Sequence, residues 1–329
     1  MRRLEVISSL KLHGNVEVLP AGFHSDVTLI VHNGEALVIK IISKPEFANK
    51  AVAEELAQDI VHYHHLLKDI GVRLPPINKI ELLANGTNSW DVVVITPFLG
   101  YDAERKIKEK NVATTWALDG ILQTMAPFFF NQQLCSHLEV GIDPKPANFV
   151  SKDNNEYHFI DWMPPRFRKN GIPLVEFAPP QSKEGWDLAY FRSYDAKGIL
   201  LVLQTQMCRL SPASRPEIKS RILEFANSIS PDVRGFLADL PSEKLWGLDF
   251  ESSRNLIEGL GPRDVYALRE IACELHHRHN TPAGAILVEQ IFRLTHFFDD
   301  LPDPDKIEQA KSLLADCFKS TSSVLSQTA

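Results

Sequence analysis

Cysteine is scarce in this sequence. The four present, Cys135, Cys208, Cys273 and Cys317, are scattered and include no CxxC pair, which argues against a disulfide-stapled scaffold and for free thiols in a reducing cytosol. Long apolar runs are missing too. Stretches such as GILLVLQ (198–204) fall far short of the roughly 20 residues that a membrane-spanning helix needs. The opening MRRLEVISSLKLHG carries two arginines but no apolar core of signal-peptide length, so the expected location is cytoplasmic. Positive charge is not in excess: 35 basic residues stand against 42 acidic ones, a net charge of −7. Broad contact with nucleic acid or an anionic membrane needs the opposite balance, so neither partner is expected. There is no internal repeat, no biased segment long enough for disorder, and no long Gly/Ser-rich or Pro-rich linker.

What is present is the composition of a globular chain: 329 residues, 44% hydrophobic and 23% charged, enough for one large or two ordinary domains. The first hundred residues read as strands with one helix. VTLIVHNGEALVIKIIS holds two β-branched runs around Asn33-Gly34, a strong hairpin signal. In the second run Ala36, Val38, Lys40 and Ile42 share one face and Leu37, Ile39 and Ile41 the other. Lys40 therefore sits among apolar neighbours, which is costly unless an anion meets it. PEFANKAVAEELAQDIVHYHHLLKDIG reads as a helix ended by Gly71 and the Pro75-Pro76 pair, and INKIELLA and WDVVVITPFLG as two further strands. After Gly100 the spacing turns helical, interrupted by the loop GIDPKPANFV and the strand EYHFID, and from about Glu184 it is nearly all helix. Strands first and helices later predict an α+β fold, with a small β-rich lobe over residues 1–96 and a larger, mostly helical lobe over 97–329. Thr96 to Gly100 joins them, and the cleft between two such lobes is a natural ligand site.

The residues able to carry chemistry cluster in the loop and just after it. Phosphoryl transfer needs a polyphosphate held, its charge neutralised by a metal ion, and an acceptor hydroxyl oriented. A hard divalent ion takes oxygen ligands, which Asn148 and Asp161 offer. Asp143 suits the acceptance of a hydroxyl proton, Lys145 the transferring phosphate, and Lys40 the α- and β-phosphates from the other lobe.

These motifs resemble those of the protein-kinase-like superfamily. Asp143-x-Lys145-Pro-x-Asn148 is similar to its catalytic loop, Phe-Ile-Asp161 to its metal-binding strand end, and Val38-Ile39-Lys40 to its Val-Ala-Ile-Lys strand. AGFHSDV, with Gly22 and Ser25, occupies the place of the phosphate-covering loop, with one glycine where the family has three. IDW at 160–162 followed by WDLAYF at 186–191 resembles the aminoglycoside and choline phosphotransferase branch. The resemblance implies a bilobal kinase-like fold using ATP or another nucleoside triphosphate with Mg2+. Gly22, Ser25, Lys40, Thr96 and Phe98 would contact the nucleotide, and Glu55 would pair with Lys40, with Asp59 as the alternate. Asp187 would brace the catalytic loop. The expected reaction is phosphoryl transfer to a hydroxyl of a small molecule, because no Ala-Pro-Glu-like anchor of a protein-substrate kinase appears. A regulatory or scaffold module of the same fold, a protein kinase of atypical type, and a different donor on the same fold remain alternatives.

Three further features have plainer readings. Cys273, His276, His277 and His279 in CELHHRHN superficially suggest zinc, but read better as the end of an exposed helix. His62, His64 and His65 lie within one helix and cannot all face one way. The arginines of YFRSYDAKG and MPPRFRK would suit an anionic substrate or simply a solvated surface.

Overall fold

The N-terminal residues RRLEVISS form a short amphipathic helix, α1 (Arg2–Ser9), that buries Val6 and Ile7 against a sheet. The computed structural model describes residues 2–19, 25–43, 45–86, 89–131, 138–161, 167–169, 172–173, 182–245, 248–261, 264–279, 281–296 and 303–325. The sheet is antiparallel and five-stranded. Its strands are β1 (Val16–Val18), β2 (Asp26–His32), β3 (Glu35–Ser43), β4 (Lys79–Ala84) and β5 (Trp90–Pro97), in the order β1-β2-β3-β5-β4. The β2–β3 turn is Asn33-Gly34, with φ of 52° and 82°. Two successive positive φ values give the turn whose twist matches the flanking strands, and Asn-Gly adopts it at low cost.

Period-two alternation then sorts side chains onto two faces. Ile39 and Ile41 of β3 join Ile30, Val93 and Ile95 under α1. Ile42, Val92 and Val94 face the other way, toward α2 (Lys50–Asp69), whose Leu56, Ile60, Tyr63 and Leu67 are buried at helical spacing. Asn49 starts α2 by accepting the Ala51 N–H at 3.0 Å. Gly71, at φ 98°, lets the chain turn away. Helix α1 was not foreseen; its short apolar stripe is too brief for periodicity to reveal, and it is pinned by Arg2 to the fully buried Asp91 (2.5 Å) and by Arg3 to Asp26 (2.5 Å).

The second lobe begins with α3 (Ala103–Lys108) and α4 (Thr114–Phe130). Short strands follow: β6 (Leu138–Val140), β7 (Phe149–Val150), β8 (His158–Phe159), β9 (Phe167–Lys169) and β10 (Ile172–Pro173). The remainder is helical: α5 (Lys183–Ser193), α6 (Ala196–Leu210), α7 (Arg215–Ile229), α8 (Pro231–Ala238), α9 (Pro241–Lys244), α10 (Phe250–Glu258), α11 (Val265–His279), α12 (Pro282–Leu294) and α13 (Pro304–Leu325). α6 is the central helix, burying the whole run Ile199–Leu203. Arg215 of α7, itself buried, is held by Glu270 and Glu274 of α11. The fold is α+β and bilobal, with a sheet-plus-helix small lobe and a larger, mostly helical lobe.

The crossing between lobes is tight. Gly100 has φ 100°, and a Cβ there would lie 1.9 Å from the Ser151 carbonyl oxygen, so the connecting segment presses directly on the β7–β8 hairpin. Among the described residues no helix is long and apolar enough to cross a membrane, and Cys208, Cys273 and Cys317 are free thiols.

Candidate active site

The β7–β8 hairpin is the local device that brings distant oxygens together. Phe149 pairs with Phe159 and Val150 with His158. Both phenylalanines are fully buried with rings 5.4 Å apart, which anchors the hairpin in the core. That register places Asn148 beside the residues leaving β8: the Ile160 N–H donates to the Asn148 carbonyl at 2.9 Å. One residue later, Asp161 Oδ2 accepts from Asn148 Nδ2 at 3.3 Å. Asn148 itself ends a single 3-10 turn, Pro146–Asn148, in which its N–H bonds the Lys145 carbonyl. Prolines at 144 and 146 restrict the backbone around Lys145 to extended geometry, and Lys145 sits at φ −63°, ψ 138°.

Asp143 is buried at the other end of this loop. Its carboxylate accepts from Lys145 Nζ at 2.8 Å and its carbonyl from Asn148 Nδ2 at 3.1 Å. The loop is tied down behind it. The Ile142 N–H donates to the Ser193 carbonyl at 2.8 Å, and the Tyr63 hydroxyl of α2 donates to the Gly141 carbonyl. A Cβ on Gly141 would meet the Tyr194 ring at 2.9 Å, so the loop rests flat on the end of α5.

Lys40 comes from β3. Its register partners are Val27 and Val94, and its ammonium lies 3.9 Å from Asp161 Oδ1. That is an ion pair but wider than a hydrogen bond. Both side chains are largely buried, at 19% and 17% exposure. They lie at the polar end of a cavity of about 510 Å³ between the lobes, lined further out by Val38, Val94, Thr96, Phe98, Leu99 and Ile160. A slot of that size, with an apolar middle, Lys40 and Asp161 at its inner end and charged residues such as Arg105 and Glu109 in its outer lining, suits a flat ring joined to an anionic chain. A larger cavity of about 770 Å³, lined by Asp187, Phe191, Lys197 and Phe236 among others, shares no residue with this site.

Of the residues singled out from sequence, the structure gathers Lys40, Asn148, Asp161, Ser25, Thr96 and Phe98 around the one cavity; Asp143 and Lys145 do not line it, but Asp143 is bonded to the lining residue Asn148 and Lys145 to Asp143. Phe98 spends its N–H on the Ala36 carbonyl at 2.9 Å. Gly22 lies outside the described residues. Glu55 is not brought in: it lies exposed on α2, and among the described ion pairs Lys40 meets Asp161 rather than Glu55 or Asp59. The helix phase that buries Leu56 and Ile60 turns Glu55 outward. Asp187 pairs with Lys183 at 2.8 Å in the first turn of α5, where Ser182 is the N-cap. The described ties of the loop include those to Ser193 and Tyr63. No sequence signal points to Tyr63, which is one more apolar position in the buried stripe of α2 until its hydroxyl is seen.

The histidines have other employment. His64 is buried and bonds the Pro75 carbonyl at 2.9 Å, which positions a cavity-lining residue; burial holds its pKa below the ordinary value. His277 bonds the Pro212 carbonyl at 2.8 Å and the Cys273 thiol faces the Thr205 carbonyl. Among the described residues no group of three or more His, Cys, Asp or Glu side chains is disposed to hold a metal ion.

No protein-family model matches the chain, and no curated protein matches it in sequence. Among solved structures, a MAP kinase from Leishmania major is similar over 96% of this chain and 98% of its own, at 13% identity and a TM-score of 0.39. A likeness that distant carries no weight for chemistry or substrate.

Proposed function

We propose that the chain is a phosphotransferase that moves the terminal phosphoryl group of ATP, with Mg2+, onto a hydroxyl of a small molecule. The observation that carries this reading is the meeting of Lys40 and Asp161 at 3.9 Å across the cleft, with Asn148 bonded to the same carboxylate. A largely buried ammonium, a carboxylate and an amide at the inner end of the slot match a polyphosphate and its ion better than any apolar ligand.

The donor set fits magnesium. Asp161 and the Asn148 amide oxygen offer hard oxygens, and a hard ion of this size characteristically takes one or two protein ligands and fills its remaining positions with phosphates and water. When bound there, the ion would neutralise phosphate charge. The chain's own residues do the rest. Lys40 holds the α/β end of the triphosphate from the small lobe. Asp143 accepts the acceptor's proton and aims its oxygen, and Lys145, paired with it, meets the phosphoryl group in transit. The slot lined by Val38, Val94 and Phe98 excludes water around the base.

The test is ligand-dependent stabilisation of the purified chain. Millimolar MgATP raises the melting temperature by several degrees, as saturating a specific site does, and Asp161→Ala abolishes the shift. Asp143→Asn keeps the shift and loses turnover. No change in melting temperature with ATP, GTP or any other nucleotide removes the reading.

A further inference from the structure

Among the described strands the small-lobe sheet ends in β1 on one side and β4 on the other. β4 is the longer edge, six residues against three. An open edge carries a row of backbone N–H and C=O groups able to pair with another strand. The ladder fixes which residues carry them. The Asn85 N–H donates to the Ser89 carbonyl at 2.7 Å, and antiparallel pairs alternate between hydrogen-bonded and non-hydrogen-bonded. Glu81 and Leu83, opposite Val93 and Asp91, therefore bond inward to β5, while Ile80, Leu82 and Ala84 turn their backbone groups outward. The Ala84 carbonyl accepts from Arg2 Nη2 of α1 at 3.0 Å, which leaves the outward groups of Ile80 and Leu82.

The side chains of this edge also fall into two sets. Ile80 and Leu82 join Ala57, Val61, His62 and His65 of α2 in lining an open groove of about 890 Å³, and Val61 is 37% exposed there. Lys79 and Glu81 share the opposite face of β4, where they pair with each other.

We propose that this edge is an interface between two copies of the chain, joined β4 to β4 antiparallel about a two-fold axis at Ile80. The contact is self-complementary, as an isologous interface requires. Ile80 opposes its own copy as a hydrogen-bonded pair. Lys79 of each copy then stands opposite Glu81 of the other, in the closer non-hydrogen-bonded pairs where opposite charges stabilise a sheet. Moving the axis to Leu82, the other outward residue, sets Glu81 opposite Leu83 and loses both ion pairs. The β1 edge lacks this complementarity. A two-fold about its middle residue sets Glu17 against Glu17, and Glu17 is engaged by Tyr101 and Arg105. In the β4 pairing the two α2–β4 grooves meet across the axis, which covers Val61, Ile80 and Leu82. The inference is independent of the phosphotransferase reading.

The test is sedimentation of the full chain across about 1–200 µM, where a moderate interface passes from monomer to dimer. Lys79→Glu and Glu81→Lys each set two like-charged pairs opposite one another and weaken dimerisation about tenfold or more. Mixed in equal amounts, the two variants recover the association of the unsubstituted chain, because every cross-strand pair again joins opposite charges. Loss of the intrachain Lys79–Glu81 contact, common to both variants, gives no such recovery. Circular dichroism of each variant checks its fold. In the unsubstituted chain, hydrogen exchange at the Ile80 amide slows as concentration rises. A chain monomeric throughout, variants that dimerise as tightly as the original, or a mixture as weak as its components overturns the inference. So does Ile80 exchange that is independent of concentration, whether or not the variants fold.

Discussion

Asp59 shows how one side chain in the small lobe can carry a cost that sequence does not display. It lies half-buried on α2, and its Oδ2 is buried with no hydrogen-bond partner among the described residues. Burial, and then the charge of Glu55, push its pKa from 3.8 to about 6. A carboxyl whose folded-state pKa is raised supports the fold most below its unfolded pKa, and that support is lost as pH rises through the folded value. The window here runs from 3.8 to about 6. At neutral pH the charged Asp59 is therefore a liability, and Asp59→Asn raises stability at pH 7.5 by about 1 kcal/mol, a figure that discounts the full shift for partial exposure. Urea unfolding at pH 7.5 and pH 4 checks it: the gain shrinks toward zero at the lower pH. If the substitution instead lowers turnover while leaving the fold intact, Asp59 works with Lys40 during the reaction, as the sequence had allowed.

The elements divide into those that local chemistry announces and those that only tertiary contact explains. The Asn33-Gly34 hairpin was legible because a two-residue turn leaves a residue-type signature. The face carrying Val38 and Lys40 was legible because strand periodicity is two. The loop from Asp143 to Asn148 and the acid at 161 were legible as a spacing, and the hairpin register of Phe149 opposite Phe159 is the physical reason that spacing brings them together. Helix α1 was not legible, since its place depends on Arg2 reaching Asp91 on a strand far along the chain. Nor was Tyr63, whose hydroxyl ties α2 to the Gly141 carbonyl two residues before Asp143. That bond makes the seating of α2 and the aim of the Asp143 loop a single variable. Tyr63→Phe keeps the ring and removes about 1 kcal/mol of hydrogen bond. The expected result is a roughly fivefold fall in kcat with KM for ATP within about twofold. A variant that loses stability but keeps kcat would make the bond purely structural.

At the scale of the whole molecule the two lobes are held across the outer mouth of the cleft as well as at Gly100. Glu17, on the edge strand β1, accepts from the Tyr101 hydroxyl at 3.2 Å and lies 3.6 Å from the Arg105 guanidinium. Arg105 in turn stacks over the Tyr101 ring at 3.7 Å and bonds Glu109 at 2.9 Å. Tyr101 and Arg105 both line the cavity, so a ligand leaving outward passes this clasp. Glu17 is exposed and Arg105 partly so, and a solvent-accessible ion pair contributes about 0.2–1 kcal/mol. For a bound nucleotide, its loss corresponds to an off-rate increase of about 1.4- to fivefold. Glu17→Gln should show that increase in stopped-flow release of a fluorescent ATP analogue at low salt. The difference from the unsubstituted chain should close near 1 M salt, where screening shortens the reach of charge to about 3 Å. An equal off-rate at low salt would mean that the clasp does not hold the lobes together and merely forms when they are already closed.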